Sequence, residues 1–376
     1  MILGELSSYL DNLFHKNLAM SWDKSGLQIG NIESEIKRIL VTLNVTDAVA
    51  DEAAGTGSGL IVAHHPLIFN SLDTVLSSEV GEKEILKLAG NGIAVYAAHT
   101  NYDAMTGGLN DFMASKLGLT DLKIIDKQHE QWYKFVVFAP VESEEKIREA
   151  ICSSGGGRWG NYSCCTFNTR GKGTFIPGKG SKPYEGKQGE MSYTDEVRIE
   201  CMVGERDLSN LIEEVRCAHP YEEMAYDIYK VENRFNEAGI GRYGSLAESR
   251  SFDRFAAMVK DNLGIDSFLW MSKEDKGIGK RKIGRVAAAC GSANSLTNKL
   301  KGLACDAVVV GEIDYHNALK VIEGGSILIA VGHGNSEKLA VDGIYAILKD
   351  YFKKNDIKID VLKSKKGSNS WRYHIG

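Results

Sequence analysis

Four histidines and two carboxylates stand where runs of apolar residues stop: Ile61-Val-Ala-His64-His65-Pro66, Val95-Tyr-Ala-Ala-His99-Thr-Asn-Tyr-Asp103 and Ile329-Ala-Val-Gly332-His333-Gly334-Asn-Ser-Glu337. Each run reads as a buried strand, so each polar group falls at a carboxyl end, where open α/β sheets place their ligands. Pro66 ends regular pairing after the histidine pair. In a continuing strand His64 and His65 would face opposite ways. At a strand end both can project from the sheet edge, and divergent adjacent imidazoles suit one ligand to each of two neighbouring metals. His333 and Glu337 are spaced i and i+4, so a helix beginning at His333 or Asn335 sets both on one face. A carboxylate between histidine-bearing strand ends could bridge two cations.

The donor set is nitrogen and hard oxygen with no thiolate. It favours Zn, Mn, Fe or Ni at an open site over a closed structural zinc, which would use cysteine. Two cations ~3.5–4 Å apart share a bridging hydroxide and clamp a substrate oxygen, the arrangement of metallohydrolases. A lone histidine at a strand end is most often a hydrogen-bonded structural residue. Three such endings, each followed by turn residues, point instead to a metal site.

The elements that must position these groups alternate in type. Over the first 120 residues, Leu3, Leu6, Leu10 and Leu13 repeat at helical spacing, followed by a strand at 38–43, a helix at 46–54 and a strand at 59–63. A helix at 79–89, a strand at 92–98 and a helix at 108–117 complete βαβ units with a mainly parallel sheet. The same style returns near the end: strands at 284–290, 307–311 and 326–331, and helices at 294–300, 315–322 and 335–351. Between them the pattern changes to a strand at 132–140, a helix at 144–152, a Gly-rich stretch at 155–189 without periodicity, a strand at 196–203, a helix at 208–217 and a strand at 224–231. That order predicts a ferredoxin-like α+β module inserted into a larger α/β domain. The expected divisions are 1–126 for a first α/β lobe, 127–234 for the insert and 235–376 for a second lobe.

Composition narrows the function classes. The 376 residues hold 45 Lys+Arg against 50 Asp+Glu, and a net charge of −5 excludes a basic nucleic-acid-binding protein. At 43% hydrophobic and 25% charged the chain is globular, with length for two or three cores. No apolar run approaches the roughly 18–20 residues of a membrane helix and no signal peptide opens the chain, so the expectation is a cytoplasmic protein without a membrane partner. Seven cysteines without any CxxC spacing read as reduced thiols, with Cys164-Cys165 structural.

Two glycine motifs invite nucleotide readings that their context opposes. Gly155–Gly160 and Gly239–Gly244 both fit GxGxxG, but neither lies between a strand and a helix, so tight turns are expected at both. Gly173–Lys179 fits GxxxxGK, yet Gly180 stands where the phosphate loop needs a hydroxyl. His219-Pro-Tyr-Glu-Glu223 reads as a structural turn rather than a second metal site, Trp22-Asp23 as a pocket-entrance or turn-capping pair, and Lys363–Gly367 as a solvated loop.

The segments Trp22-Asp23-Lys-Ser-Gly26-Leu27-Gln28-Ile-Gly30, Ala63-His64-His65-Pro66-Leu67-Ile68-Phe69, His99-Thr100-Asn-Tyr-Asp103 and Gly332-His333-Gly-Asn-Ser-Glu337 resemble the dinuclear metal-centre family of GTP cyclohydrolase I type 2 homologues, the Nif-three-like proteins. The resemblance covers essentially the whole chain. Its middle looks like the long bacterial form with a CutA-like ferredoxin insert, matched at Gly157-Arg-Trp-Gly-Asn161-Tyr162-Ser163, Gly173-Thr-Phe175 and Ala218-His219-Pro220-Tyr221-Glu222-Glu223. The resemblance implies two similar α/β lobes forming one domain. It also implies that His64 and His65 each hold one metal, Asp103 holds the first, His333 the second, and Glu337 bridges both. His99 would stand beside the site and, with Glu337, is a candidate catalytic residue. The family further implies a toroidal homohexamer with the sites facing an interior cavity. Glu312 departs from the family's pattern by replacing an Asp.

These readings converge on a dinuclear metal-dependent hydrolase with two divalent ions per chain. A GTP cyclohydrolase-like reaction would have a metal-bridged hydroxide attack a nucleotide or related small molecule. The alternatives are a non-catalytic metal-binding hexameric scaffold or regulator, and a metal-dependent phosphoesterase.

Overall fold

The computed structural model describes residues 1–128, 131–160, 162–232, 238–274 and 276–367, with Arg206 described by its backbone alone. Asn161, the run 233–237 and the expected boundary between 234 and 235 lie outside these residues. The chain forms two compact units, 1–128 with 237–376 and 129–236. No helix among the described residues is long and apolar enough to cross a membrane.

The larger unit begins with α1 (Leu3–Leu13), β1 (Gly26–Ile29), β2 (Arg38–Thr42), α2 (Asp47–Thr56), β3 (Leu60–Ala63), α3 (Glu82–Gly90), β4 (Ala94–Ala97), α4 (Thr100–Ala104), α5 (Leu109–Lys116) and β5 (Leu119–Gln128). Thr46 starts α2 by accepting the Val49 N–H, and Gly57 ends it in the left-handed region. Strands β2, β3 and β4 pair in parallel. They are apolar on both faces because both faces are covered, as Ile39, Val41, Ile61, Val62, Val95 and Tyr96 are all buried.

The smaller unit runs β6 (Trp132–Pro140), α6 (Glu144–Ser153), β7 (Thr166–Phe175), β8 (Ser192–Gly204), α7 (Glu205–Ala218) and β9 (Tyr226–Val231). Its sheet order is β7-β8-β6-β9 with every pair antiparallel, which is the ferredoxin-like topology. Phe135, Val137 and Ala139 of β6 and Val197, Ile199, Cys201 and Val203 of β8 alternate inwards against Ile147, Ile151, Leu211 and Val215 of the two helices. Strand β7 lies inside the stretch that shows no periodicity, because its residues are mostly polar or glycine and largely exposed. The cysteine expectation needs correction: Cys152 and Cys164 are joined in a disulfide, their Cα atoms 5.0 Å apart. Positive φ at Gly155 and Gly157 folds the chain back between them.

The chain re-enters the larger unit with β10 (Ala238–Ser251), α8 (Phe252–Leu263), β11 (Leu269–Met271), β12 (Lys282–Ser292), α9 (Thr297–Gly302), β13 (Ala307–Glu312), α10 (Tyr315–Glu323), β14 (Ile327–Ala330), α11 (His333–Glu337), α12 (Leu339–Lys354) and β15 (Asp360–Lys363). Gly239–Gly244 is therefore not a tight turn but part of a long strand. Gly239 is needed because a Cβ there would collide with the Asp126 carbonyl of the paired β5. In Lys363–Gly367, Lys365 and Lys366 are exposed as a solvated loop requires, while Lys363 belongs to β15 and the Ser364 hydroxyl donates to Glu52.

The two sheets exchange strands. One has the order β1-β4-β3-β2-β15, the other β11-β14-β13-β12-β10-β5. Thus β5, read with the first lobe, closes the second sheet, and β15 closes the first. Leu6, Leu10, Met113, Phe255, Ile344 and Leu348 from α1, α5, α8 and α12 share one core with Val41, Val62, Ala288 and Val309 of the two sheets. The buried Arg242 of β10 clamps Asp111 of α5 through Nε at 2.6 Å and Nη2 at 2.9 Å. Asn110 accepts the Cys290 N–H and donates to the Asp103 carbonyl.

Candidate metal centre

The parallel ladder extends one step past β3: the His64 N–H donates to the Thr42 carbonyl and the His65 N–H to Leu43. This holds both histidines at the carboxyl edge of the first sheet. The fully buried His64 turns Nδ1 to the Ala98 carbonyl at 2.8 Å, leaving Nε2 for the site. His65 turns Nδ1 to Asn44 Oδ1 at 2.7 Å and Nε2 to Glu337 Oε2 at 2.9 Å. His99 immediately precedes α4, and Asp103 stands one turn further along. Asp103 Oδ1 lies 3.7 Å from His64 Nε2.

The opposite side comes from the second sheet. Gly332, at φ 96°, turns the chain so that α11 begins at His333. His333 Nε2 then meets Glu337 Oε2 at 2.9 Å one turn along, while Nδ1 faces Glu312 Oε1 at 3.1 Å. A Cβ on Gly291 would collide with Glu337 Oε1, and one on Gly311 with the Ser336 hydroxyl. The Ser336 hydroxyl accepts the Gly291 N–H and donates to the His333 carbonyl. Absent side chains at the ends of β12 and β13 thus let α11 seat directly on the sheet edge.

Ligand atoms of His64, His65 and His99 lie within 4.8 Å of one another, and so do those of His65, His333 and Glu337. All six residues expected from the sequence therefore gather in one place, Asp103 through its approach to His64. Glu337 directs Oε2 at His65 and His333, and its Oε1 stands 3.9 Å from His64 Nε2.

The electrostatics follow from burial and pairing. Burial opposes a charge on His64, but the Asp103 and Glu337 carboxylates outweigh it and raise the imidazole to about 9. His333 is raised to about 9, chiefly by its hydrogen bond to Glu337. Burial lowers His65, and pushes the Asp103 carboxyl up to about 6. Burial also works against Glu337, yet hydrogen bonds from His333 and His65 and the nearby charge of His64 hold it well below the usual carboxylate range.

Other residues orient these ligands. Asn44 orients His65 from the loop after β2, and nothing in its local pattern marks it. Glu312, which departs from the family's Asp, orients His333. Asp23 is more than a turn cap: its buried carboxylate accepts from His99 Nδ1 at 2.8 Å, Thr100 N at 3.1 Å and Ser25 Oγ at 2.7 Å. Trp22 stands exposed beside Phe69 and His99. His219 is elsewhere, with both ring nitrogens engaged by backbone groups of Phe138 and Tyr221, as a structural residue requires.

The residues fit a divalent metal on one observation above all. Buried His64 Nε2 and Asp103 Oδ1 have no hydrogen-bond partner. Each such orphan costs ~1–3 kcal/mol in the interior, and a cation between them would satisfy both. Imidazole nitrogens and carboxylate oxygens are the donors such an ion takes.

A protein of Halalkalibacterium halodurans named GTP cyclohydrolase 1 type 2 homolog is 36% identical over 350 residues, 93% of this chain and 92% of that protein. A Bacillus subtilis protein of the same name is 34% identical over 359 residues, 95% of both. Among solved structures, a Bacillus cereus protein related to NIF3 superposes with a TM-score of 0.73 at 34% identity, covering 100% of this chain and 99% of that one. The family model described as Duf34/NIF3 (NGG1p interacting factor 3) matches residues 1–369, so the chain belongs to the Duf34/NIF3 family.

Proposed function

We propose that this protein is a dinuclear metal-dependent hydrolase acting on a nucleotide or related small molecule, in the manner of a GTP cyclohydrolase. The observation that carries the reading is the pair of buried, unpartnered atoms, His64 Nε2 and Asp103 Oδ1, facing Glu337. In this reading His64 and Asp103 would hold one ion and His65 and His333 the other, with Glu337 within reach of both. Divalent ions there would supply Lewis acidity toward a substrate oxygen and acidify a water.

The chain's own residues do the rest. Asn44 and Glu312 fix the imidazoles of His65 and His333, and the Ala98 carbonyl fixes that of His64, so the ligands are preorganised. Asp23 binds His99 Nδ1 and leaves Nε2 to exchange a proton with substrate. The names of the relatives support a GTP-like substrate. The resemblance supports a CutA-like character for the smaller unit and a toroidal homohexamer, which sedimentation of the purified protein measures.

Elemental analysis of untagged protein, beside Glu337→Gln, tests the reading. About two equivalents of metal per chain in the wild type, and loss of turnover in the variant against a panel of GTP, other nucleotides and phosphodiesters, are expected. Turnover confined to phosphodiesters would make it a phosphoesterase. Metal-loaded protein inert across the panel, or a metal content near zero that added Zn, Mn or Fe does not restore, would overturn catalysis and leave the scaffold.

A further inference from the structure

The smaller unit contains a cavity of about 370 Å³ between the β7–β8 connection and the turn before β9. Phe175, Pro177 and Pro183 form an apolar wall, with Tyr184 and Tyr221 paired at 5.8 Å between ring centres. Three carboxylates, Glu196, Glu222 and Glu223, complete the lining, and no lysine or arginine lies among the lining residues. None of the three forms an ion pair with any described residue. Glu196 accepts the Tyr221 hydroxyl at 2.9 Å, and Gly173 is bare where a Cβ would collide with the Glu196 carboxylate. Buried Thr194 pairs across the ladder with Gly173 and shares a strand face with Glu196.

We propose that this cavity is a binding site for a small organic cation, an alkylammonium or guanidinium whose charge meets Glu196 and whose body packs on Tyr184 and Tyr221. A cation over aromatic faces with a carboxylate behind it is held by the ring quadrupole and by charge together, and a cavity of this size encloses a molecule rather than a bare ion. A divalent metal fits less well. Among the described residues, groups of three ligand atoms within 4.8 Å occur only at the His64–Glu337 centre. A phosphate fits least, although Gly173 belongs to the phosphate-loop-like motif, because every charged residue in the lining is a carboxylate.

The full-length protein should be titrated calorimetrically with choline, putrescine and agmatine. The neutral choline isostere 3,3-dimethyl-1-butanol and magnesium serve as controls, alongside Glu196→Gln and Tyr184→Ala, the latter at a half-exposed position. One saturable site per chain for at least one amine is expected, weakened at least tenfold by either variant, with metal content at the histidine centre unchanged. Overturning results are no saturable amine binding below millimolar concentration, equal binding of the neutral isostere, tighter binding of magnesium, or amine binding indifferent to both variants.

Discussion

At the scale of single residues, the proton inventory of the centre makes it pH-sensitive. His64 and His333 are raised to about 9 in the folded, metal-free chain, against an ordinary value of ~6.5. A raised imidazole adds stability that is fully present below ~6.5 and disappears as the pH climbs through the folded value. The metal-free protein should therefore lose urea resistance between about pH 6.5 and 9, while the metal-loaded protein should not. Metal needs neutral imidazoles, so binding at pH 7 should expel about one to two protons per chain, fewer as the pH approaches 9. Calorimetry in buffers of differing ionisation heat reads that number directly. A release near zero at pH 7 would contradict the protonation described. The histidines themselves were legible in the sequence because each interrupts an apolar run. Their partners were less so: Asn44 is a single polar residue in a loop that nothing marks, and although Asp23 and Glu312 stood out, only long-range folding brings each to its imidazole.

Between elements, the close seating of α11 depends on what β12 lacks. Gly291→Ala adds a methyl at φ 61° and against Glu337 Oε1, so backbone strain of ~1–2 kcal/mol should accompany a loss of metal affinity of about tenfold or more. Gly302→Ala, at the end of α9 with open space around it, is the control and should leave metal binding unchanged. Competition with a chromogenic chelator separates the two. The Arg242–Asp111 clamp joins α5 to β10 in the interior. Asp111→Asn should cost about 3 kcal/mol in urea unfolding, because it strands a buried guanidinium. Helices and parallel strands were visible from periodicity, as with α2 and β3. Strand β10 was hidden because its glycines, which look like turn residues, are what its close packing on β5 requires, and β7 because an exposed polar strand has no apolar alternation to reveal it.

For the molecule as a whole, the chain leaves the larger unit and returns to it at neighbouring strand ends. Gln128 and Ala238 are opposite partners at the ends of β5 and β10, and Trp132 and Val231 are partners at the ends of β6 and β9. Replacing residues 129–237 by an Asn-Gly turn should therefore close β5 and β10 as a hairpin. The shortened protein is expected to fold and to keep the wild-type metal stoichiometry. Aggregation with loss of metal would show instead that the smaller unit is needed for the larger to form.

The exchange of strands also has a temporal side. During synthesis β2 emerges early, while β15, its partner along one edge, is made after every other described element. His64 and Glu337 are likewise separated by most of the chain. A ribosome still translating the second lobe thus holds a first sheet with an open hydrogen-bonding edge and half of the candidate metal centre, the kind of intermediate that invites misassembly. Maturation of the centre becomes a post-translational event, and translational pauses between β10 and β15 would lengthen the interval in which the nascent chain must be shielded.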